Sequence, residues 1–264
     1  VRARAAGLGR ADRFDLAVTG PATDPGPMRW IVGLVLVVAC GRSGRDAAPS
    51  DGDAIPDGAA ACSEVPAEAS GEGTYYDADG TGSCSFDADP SRMVAALNRP
   101  DYGAAAMHCG ACVEVTGPRG SVVVRVVDSC PGCGSGDLDL SREAFALIAP
   151  IAAGRVAISW HEVACDVRGP LRYRFKDGSN PDWTALQVRN HRYPIASLAA
   201  RVADGSWRDL PRLDYNYFVD VRGLGDGPYT LRVSDQRGHV LEDDGIALGD
   251  AVERTGAAQL PTCR

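Results

Sequence analysis

The chain has 264 residues, nine cysteines, four histidines and a formal net charge of −8, with 45% of its residues hydrophobic. An acidic surface excludes binding through nucleic acid phosphates, which needs a basic footprint, and disfavours adsorption to anionic polymers. Neutral ligands stay compatible, and the length suits a short leader followed by two domains of about a hundred residues each.

Met28, Arg29 and the apolar run from Trp30 to Ala39 have the charged start, short hydrophobic stretch and small residue of an export signal. The run is too short to span a bilayer. Ala39 directly before Cys40 has the form of a bacterial lipobox, so Cys40 is the expected lipidated first residue of an exported envelope or extracellular protein that meets membrane only through that anchor. Residues 1–27 lack signal character and read as an upstream extension, so residues 1–39 group together as extension plus signal peptide. Five arginines and three aspartates go with them, leaving 22 basic against 32 acidic residues, a net charge of −10. Residues 40–70 are rich in Gly, Ala, Pro, Ser and Asp without an apolar period and read as a flexible linker.

Further along, strands are expected at Gly73 to Tyr76, Cys112 to Thr116, Val122 to Val127 and Val156 to Val163, with short helices at Ser91 to Leu97 and Ser141 to Ile148. The turn-like DVRGP, Asp166 to Pro170, divides residues 71–166 from residues 167–264. After it, LRYRF, ALQVRN, SLAARVA, YFVDV and YTLRVSD alternate at period two between Gly or Pro turns, the spacing of a β-sandwich. The expected fold class is mainly β.

Between Val126 and Ser141, VVDSCPGCGSGDLDLS sets Asp128 at a strand end and Asp139 just before the helix N-cap Ser141. A folded-back loop would bring both acids to one surface. Each acid alone also has a structural reading, as an Asx turn or a complement to the helix dipole. With Cys40 set aside, eight cysteines remain. Cys109-Gly-Ala-Cys112 and Cys130-Pro-Gly-Cys133 have zinc-ribbon spacing, but an export signal and four further cysteines favour disulfides, with no metal and no cofactor. Eight thiols allow 105 pairings, and the sequence does not choose among them. No HExxH motif occurs, His161-Glu162 being followed by Cys165, and there is no P-loop, dinucleotide fingerprint or nucleophile elbow.

The ordered motifs GTYYDADGTGSCSF, CGACVEV, VVVRVVDSCPGC, DLDLSREAFALI and VAISWHEVAC resemble the double-psi β-barrel of expansins, related to family 45 endoglucanases. LRYRFKDGSNPDW, ALQVRNHRYPI and LDYNYF resemble the carbohydrate-binding sandwich that follows it in bacterial expansins. The resemblance implies a six-stranded double-psi barrel followed by an immunoglobulin-like β-sandwich. It implies disulfides Cys84–Cys109 and Cys112–Cys165, leaving Cys130–Cys133 and Cys62–Cys263 as the other pairs. Thr74 and Asp128 match groove positions of the family, and Asp139 matches the general acid of the related endoglucanases. The family's groove aromatic is replaced by Cys130, with Tyr75, Tyr76 or Tyr102 as substitutes for sugar contact. Trp183 and Tyr215 match two of three platform aromatics, Asp182 stands at the third, and Lys176 matches a neighbouring lysine. His191 reads as scaffold.

Hydrolysis normally divides labour between two carboxylates. In expansins only the acid is kept, and Asp77 lies one residue off the base position of the endoglucanases, an offset that turns a strand side chain to the opposite face. The resemblance therefore implies a monomeric protein that binds and loosens cellulose or a related β-1,4-glucan without cleaving it. The alternatives are a lytic transglycosylase resembling rare lipoprotein A or a weak endoglucanase, acting through Asp139 on peptidoglycan or β-glucan, and a surface lipoprotein that only binds.

Overall fold

The computed structural model describes Cys62 and residues 68–263. The export signal, Cys40 and most of the 40–70 stretch lie outside the described residues. Among the described residues, no helix is long and apolar enough to cross a membrane.

The first part contains β1 (Ala69–Tyr76), β2 (Val94–Asn98), α1 (Arg99–Tyr102), β3 (Cys112–Gly117), β4 (Gly120–Cys130), β5 (Leu138–Ser141), α2 (Arg142–Ile148) and β6 (Val156–Val163). The six strands close into a barrel in the order β1-β5-β2-β4-β3-β6. Two pairings, β1 with β5 and β2 with β4, are parallel and interlock as a double-psi barrel. Ala95, Leu97, Val113, Val115, Val124, Val126, Leu138 and Leu140 fill its interior and meet Phe145 and Ile148 of α2. Ser141 caps α2 by accepting the Ala144 N–H at 3.1 Å, as its position before the apolar run implies.

β2 corrects one expectation. Met93, Ala95, Ala96 and Leu97 favour a helix locally, yet Val94–Asn98 is a central strand with all five residues buried. Arg92 has φ +57, which stops a helix from entering this stretch. Pairing on both edges, with β4 and with β5, satisfies the backbone and overrides the propensity. The expected elements also omit the short strand β5.

The second part contains β7 (Arg172–Phe175), β8 (Thr184–Arg189), β9 (Ile195–Arg201), β10 (Trp207–Asp209), β11 (Phe218–Asp220), β12 (Tyr229–Asp235), β13 (Val240–Ile246) and β14 (Glu253–Thr255). They form two four-stranded sheets, β10-β9-β12-β13 and β11-β8-β7-β14. Tyr173, Phe175, Leu186 and Val188 of one sheet and Leu198, Ala200, Leu231 and Val233 of the other build the sandwich core. The strict alternation of burial along β12 is the period-two pattern of YTLRVSD expressed in space.

Four disulfides bind the described residues: Cys62–Cys263, Cys84–Cys109, Cys112–Cys165 and Cys130–Cys133. The zinc-ribbon alternative is excluded for the two CxxC segments, because their four thiols are spent in three of these bonds.

Candidate functional site

The barrel strands align four residues in one row. Thr74 on β1 pairs with Asp139 on β5, Asp139 with Ala96 on β2, and Ala96 with Asp128 on β4. Residues in register across a sheet point to the same face, so Thr74, Asp139, Ala96 and Asp128 share one surface. A register shift between Ala95 and Ala96 makes this possible: Ala95 pairs with Val126, Ala96 with Asp128, and Val127 is the extra residue. Neighbouring strands lie about 4.8 Å apart, which sets the Cα atoms of the two acids roughly 10 Å apart across the small Ala96.

The two carboxylates are held differently. Asp128 Oδ1 accepts the Ser83 N–H (2.7 Å), the Ser83 hydroxyl (2.6 Å) and the Ser129 N–H (2.8 Å). The Ser83 loop can lie this close because residue 82 is glycine; a Cβ there would stand 2.6 Å from the Asp128 side chain. Among the described residues, Asp139 Oδ1 accepts only the Thr74 hydroxyl, at 2.6 Å. Burial raises the Asp139 pKa, the Thr74 hydrogen bond opposes this, and the Asp128 charge adds to it. Asp139 is thus the carboxyl biased toward holding a proton.

Tyr76, two residues beyond Thr74, shares its face. Its ring packs beside Ala78, Val94 and Val127, and its hydroxyl is buried with no hydrogen-bond partner among the described residues. Burial raises its pKa, and the charges of Asp128, Asp139 and Asp79 raise it further. Tyr75 points the other way: its ring lies 4.9 Å from that of Phe145, with the Arg142 guanidinium 5.4 Å above it. Tyr102 is buried at 1% exposure against Cys109 Sγ, which removes it as a sugar contact. Asp77 follows the end of β1 with its side chain fully in solvent, 3.9 Å from Arg92 Nη1. Among the described residues, no hydrogen bond or ion pair joins Asp77 to Thr74, Asp128 or Asp139. Cys130 ends β4 two residues past Asp128, half-buried in its bond to Cys133.

The second cluster lies on the outer face of the β11-β8-β7-β14 sheet. Trp183 and Tyr215 pack half-buried around Ala185, Tyr217 and Val219, with the Tyr215 and Tyr217 rings 5.9 Å apart. The Lys176 N–H donates to Ala185 O, which places Lys176 beside this cluster. Asp182 is exposed, its N–H bonded to Asn180 Oδ1 in the turn that presents Trp183. Tyr217 is a member of the patch that residue matching overlooks. The signal was present, since Tyr215 and Tyr217 are two apart in an alternating segment.

The same sheet face docks on the barrel. Gln187 and Asn216 donate to Cys84 O at 2.8 and 3.2 Å, and Arg189 reaches Asp87 Oδ2 at 2.5 Å. Ser83, which clamps Asp128, precedes Cys84, so one loop joins the acid row to the sheet that carries the aromatics. His191 sits in this junction at 2% exposure, its Nδ1 against Tyr193 O at 2.8 Å. Burial first, then Arg125 and Arg212, push its pKa down to about 3, so it is a neutral scaffold residue.

Comparison with known proteins gives this geometry its relatives. A family model described as lytic transglycolase matches residues 68–160. Expansin-YoaJ of Bacillus subtilis is 39% identical over 166 residues, covering 61% of this chain and 71% of the relative. The crystal structure of apo Clavibacter michiganensis expansin aligns with TM-score 0.69 and 34% identity, covering 73% of this chain and 98% of that one. A mutant of the Clavibacter protein solved in complex with cellohexaose aligns with the same score, identity and coverage. With barrel, sandwich and identity in agreement over both parts, the chain belongs to the bacterial expansin family.

Proposed function

We propose that this protein binds β-1,4-glucan chains of cell-wall polysaccharide and loosens their packing without hydrolysing them. The observation that carries the reading is the inequality of the two acids. Asp139 is a desolvated carboxyl suited to hold a proton and donate it to a glycan oxygen, whereas Asp128 has one oxygen saturated by three donors from Ser83 and Ser129. Asp77, in solvent, is not placed as a base. A row with one proton donor and a second carboxylate held through Oδ1 by three donors is suited to bind and reorder glycan hydroxyls rather than to divide the labour of hydrolysis.

In this reading Thr74 orients Asp139, and Tyr76, its hydroxyl buried, supports the row by packing against Val94 and Val127. Trp183, Tyr215 and Lys176 form the platform on which sugar rings stack. Tyr75 borders a recess of about 360 Å³ with Tyr76, Asp77 and Arg142 and is a peripheral contact. The cellohexaose complex of the Clavibacter relative supports the ligand class. Residues 71–166 and 167–264 act as the groove and platform domains of an exported protein, anchored through Cys40 and working as a monomer.

A second reading, lytic cleavage of peptidoglycan through Asp139, is favoured by the family model over residues 68–160. Cellulose and peptidoglycan pull-downs of residues 41–264, with mass spectrometry of the soluble products, separate the two. Cellulose binding that weakens roughly tenfold in Trp183→Ala, about 1.4 kcal/mol, with no released sugars supports loosening. Anhydro-muropeptides or cello-oligosaccharides that vanish in Asp139→Asn would overturn it in favour of an enzyme.

A further inference from the structure

Asp235 at the end of β12 and His239 in the following turn are each buried at 2% exposure. Asp235 Oδ1 accepts the backbone N–H groups of Arg237 and His239 at 2.9 and 3.0 Å, and Oδ2 faces His239 Nδ1 at 2.8 Å. A carboxylate only accepts, so Nδ1 carries the proton and Nε2 presents its lone pair on the other side of the ring. At 3.3 Å from Nε2 lies Sγ of Cys62, which is bonded to Cys263. A disulfide sulfur has no proton to give. The imidazole is therefore aimed at a sulfur that it can serve only when the disulfide opens, the sulfur–base–carboxylate arrangement of an activated thiol.

The remaining surroundings are defined. The Tyr193 ring lies 6.0 Å from the His239 ring, and its hydroxyl accepts the Cys263 N–H at 3.2 Å. Arg237 lies 5.4 Å over the Tyr193 ring and is paired with the buried Glu162. Cys62 and Cys263 are half-buried, so a small reagent can reach the bond.

We propose that Cys62–Cys263 is a site of exchange with small thiols, in which His239, oriented by Asp235, serves the Cys62 sulfur as acid and base. The attacking thiolate forms a bond to Cys263 Sγ, the Cys62–Cys263 bond breaks, and its electron pair goes to Cys62 Sγ. That sulfur takes a proton from His239 Nε2, which had drawn it from water. The product is a mixed disulfide at Cys263 and a thiol at Cys62. A second thiolate attacks the external sulfur of the mixed disulfide, leaves as the reagent's own disulfide and frees Cys263, completing the two-electron reduction. In the reverse direction His239 removes the Cys62 proton, and the thiolate attacks Cys263 Sγ of the mixed disulfide, re-forming Cys62–Cys263 and expelling the external thiolate. Stabilising the departing Cys62 sulfur is what directs attack to Cys263.

The test uses the oxidised full chain and reduced glutathione, with acid quenching, alkylation of free thiols and peptide mass spectrometry. Glutathione is expected on Cys263 and the alkyl group on Cys62. His239→Gln is expected to slow this opening by about a hundredfold, the low side of what a positioned acid–base group contributes, while opening of Cys130–Cys133 is unchanged. Glutathione on Cys62, or equal slowing of both disulfides in His239→Gln, would overturn the proposal. Should His239→Gln fail to fold, the position of the adduct in the wild type still decides.

Discussion

Substituting Glu162 by Gln tests whether the barrel and the sandwich are joined by a buried ion pair. Glu162 lies on β6 of the barrel, and Arg237 lies in the turn between β12 and β13 of the sandwich; their side chains are 4% and 3% exposed and hydrogen-bonded to each other. Burial holds the Glu162 carboxyl above its ordinary range, with Arg237 pulling the other way and Asp235 adding to the rise. Removing the charge of Glu162 breaks a buried ion pair from one side, which costs about 3–5 kcal/mol, whereas removing an exposed partner costs about 1 kcal/mol at most. Glu72, paired with Arg155 at 51% and 61% side-chain exposure, is the internal reference. In urea titrations with a slope of about 2 kcal/mol/M, Glu162→Gln should lower the midpoint by roughly 2 M and Glu72→Gln by less than about 0.5 M. The double variant Glu162→Leu, Arg237→Met should recover most of the loss, because apolar packing avoids desolvating two charges. Equal midpoints for Glu162→Gln and Glu72→Gln would refute the reasoning.

Asp139→Asn should stabilise the folded protein near neutral pH by up to about 1 kcal/mol, screened as this half-buried site is. Because its folded pKa is raised, the folded chain holds a proton that the unfolded chain has already released, so the wild type loses stability as pH rises through that window. The advantage of Asp139→Asn over wild type should therefore shrink as pH falls, which thermal melts from about pH 7 to about pH 4 would report. Gly110→Ala should destabilise by about 2–4 kcal/mol in the same melts. Gly110 has φ +79, and a Cβ there would stand 2.5 Å from the His191 ring, which is walled in at the junction. Asp182→Tyr should strengthen cellulose binding by restoring a third ring beside Trp183 and removing a carboxylate from the platform; a depletion isotherm that weakens instead would contradict the platform reading.

Much of the architecture was legible because it is written in local patterns. The alternation in YTLRVSD becomes the alternating burial of β12, and Ser141 before REAFALI becomes the cap of α2. Asp128 and Asp139 stood out through their place at a strand end and ahead of a helix cap. Local pattern failed at β2, where Ala, Met and Leu speak for a helix and only pairing on both edges makes a strand.

The amino-acid order by itself determined the mainly β fold class, the acidic surface and the residues from which the acid row is drawn, since periodicity, charge and capping act over a few neighbouring positions. Tertiary structure alone decided the relations among them. The bulge at Val127 sets Asp128 in line with Ala96 and Asp139, the Ser83 loop reaches across 45 positions to hold one oxygen of Asp128, and Asp77 is left in solvent. His239 meets Cys62 across 177 positions. Such contacts depend on strand register and loop closure summed over the whole chain, and no short window of sequence contains that information.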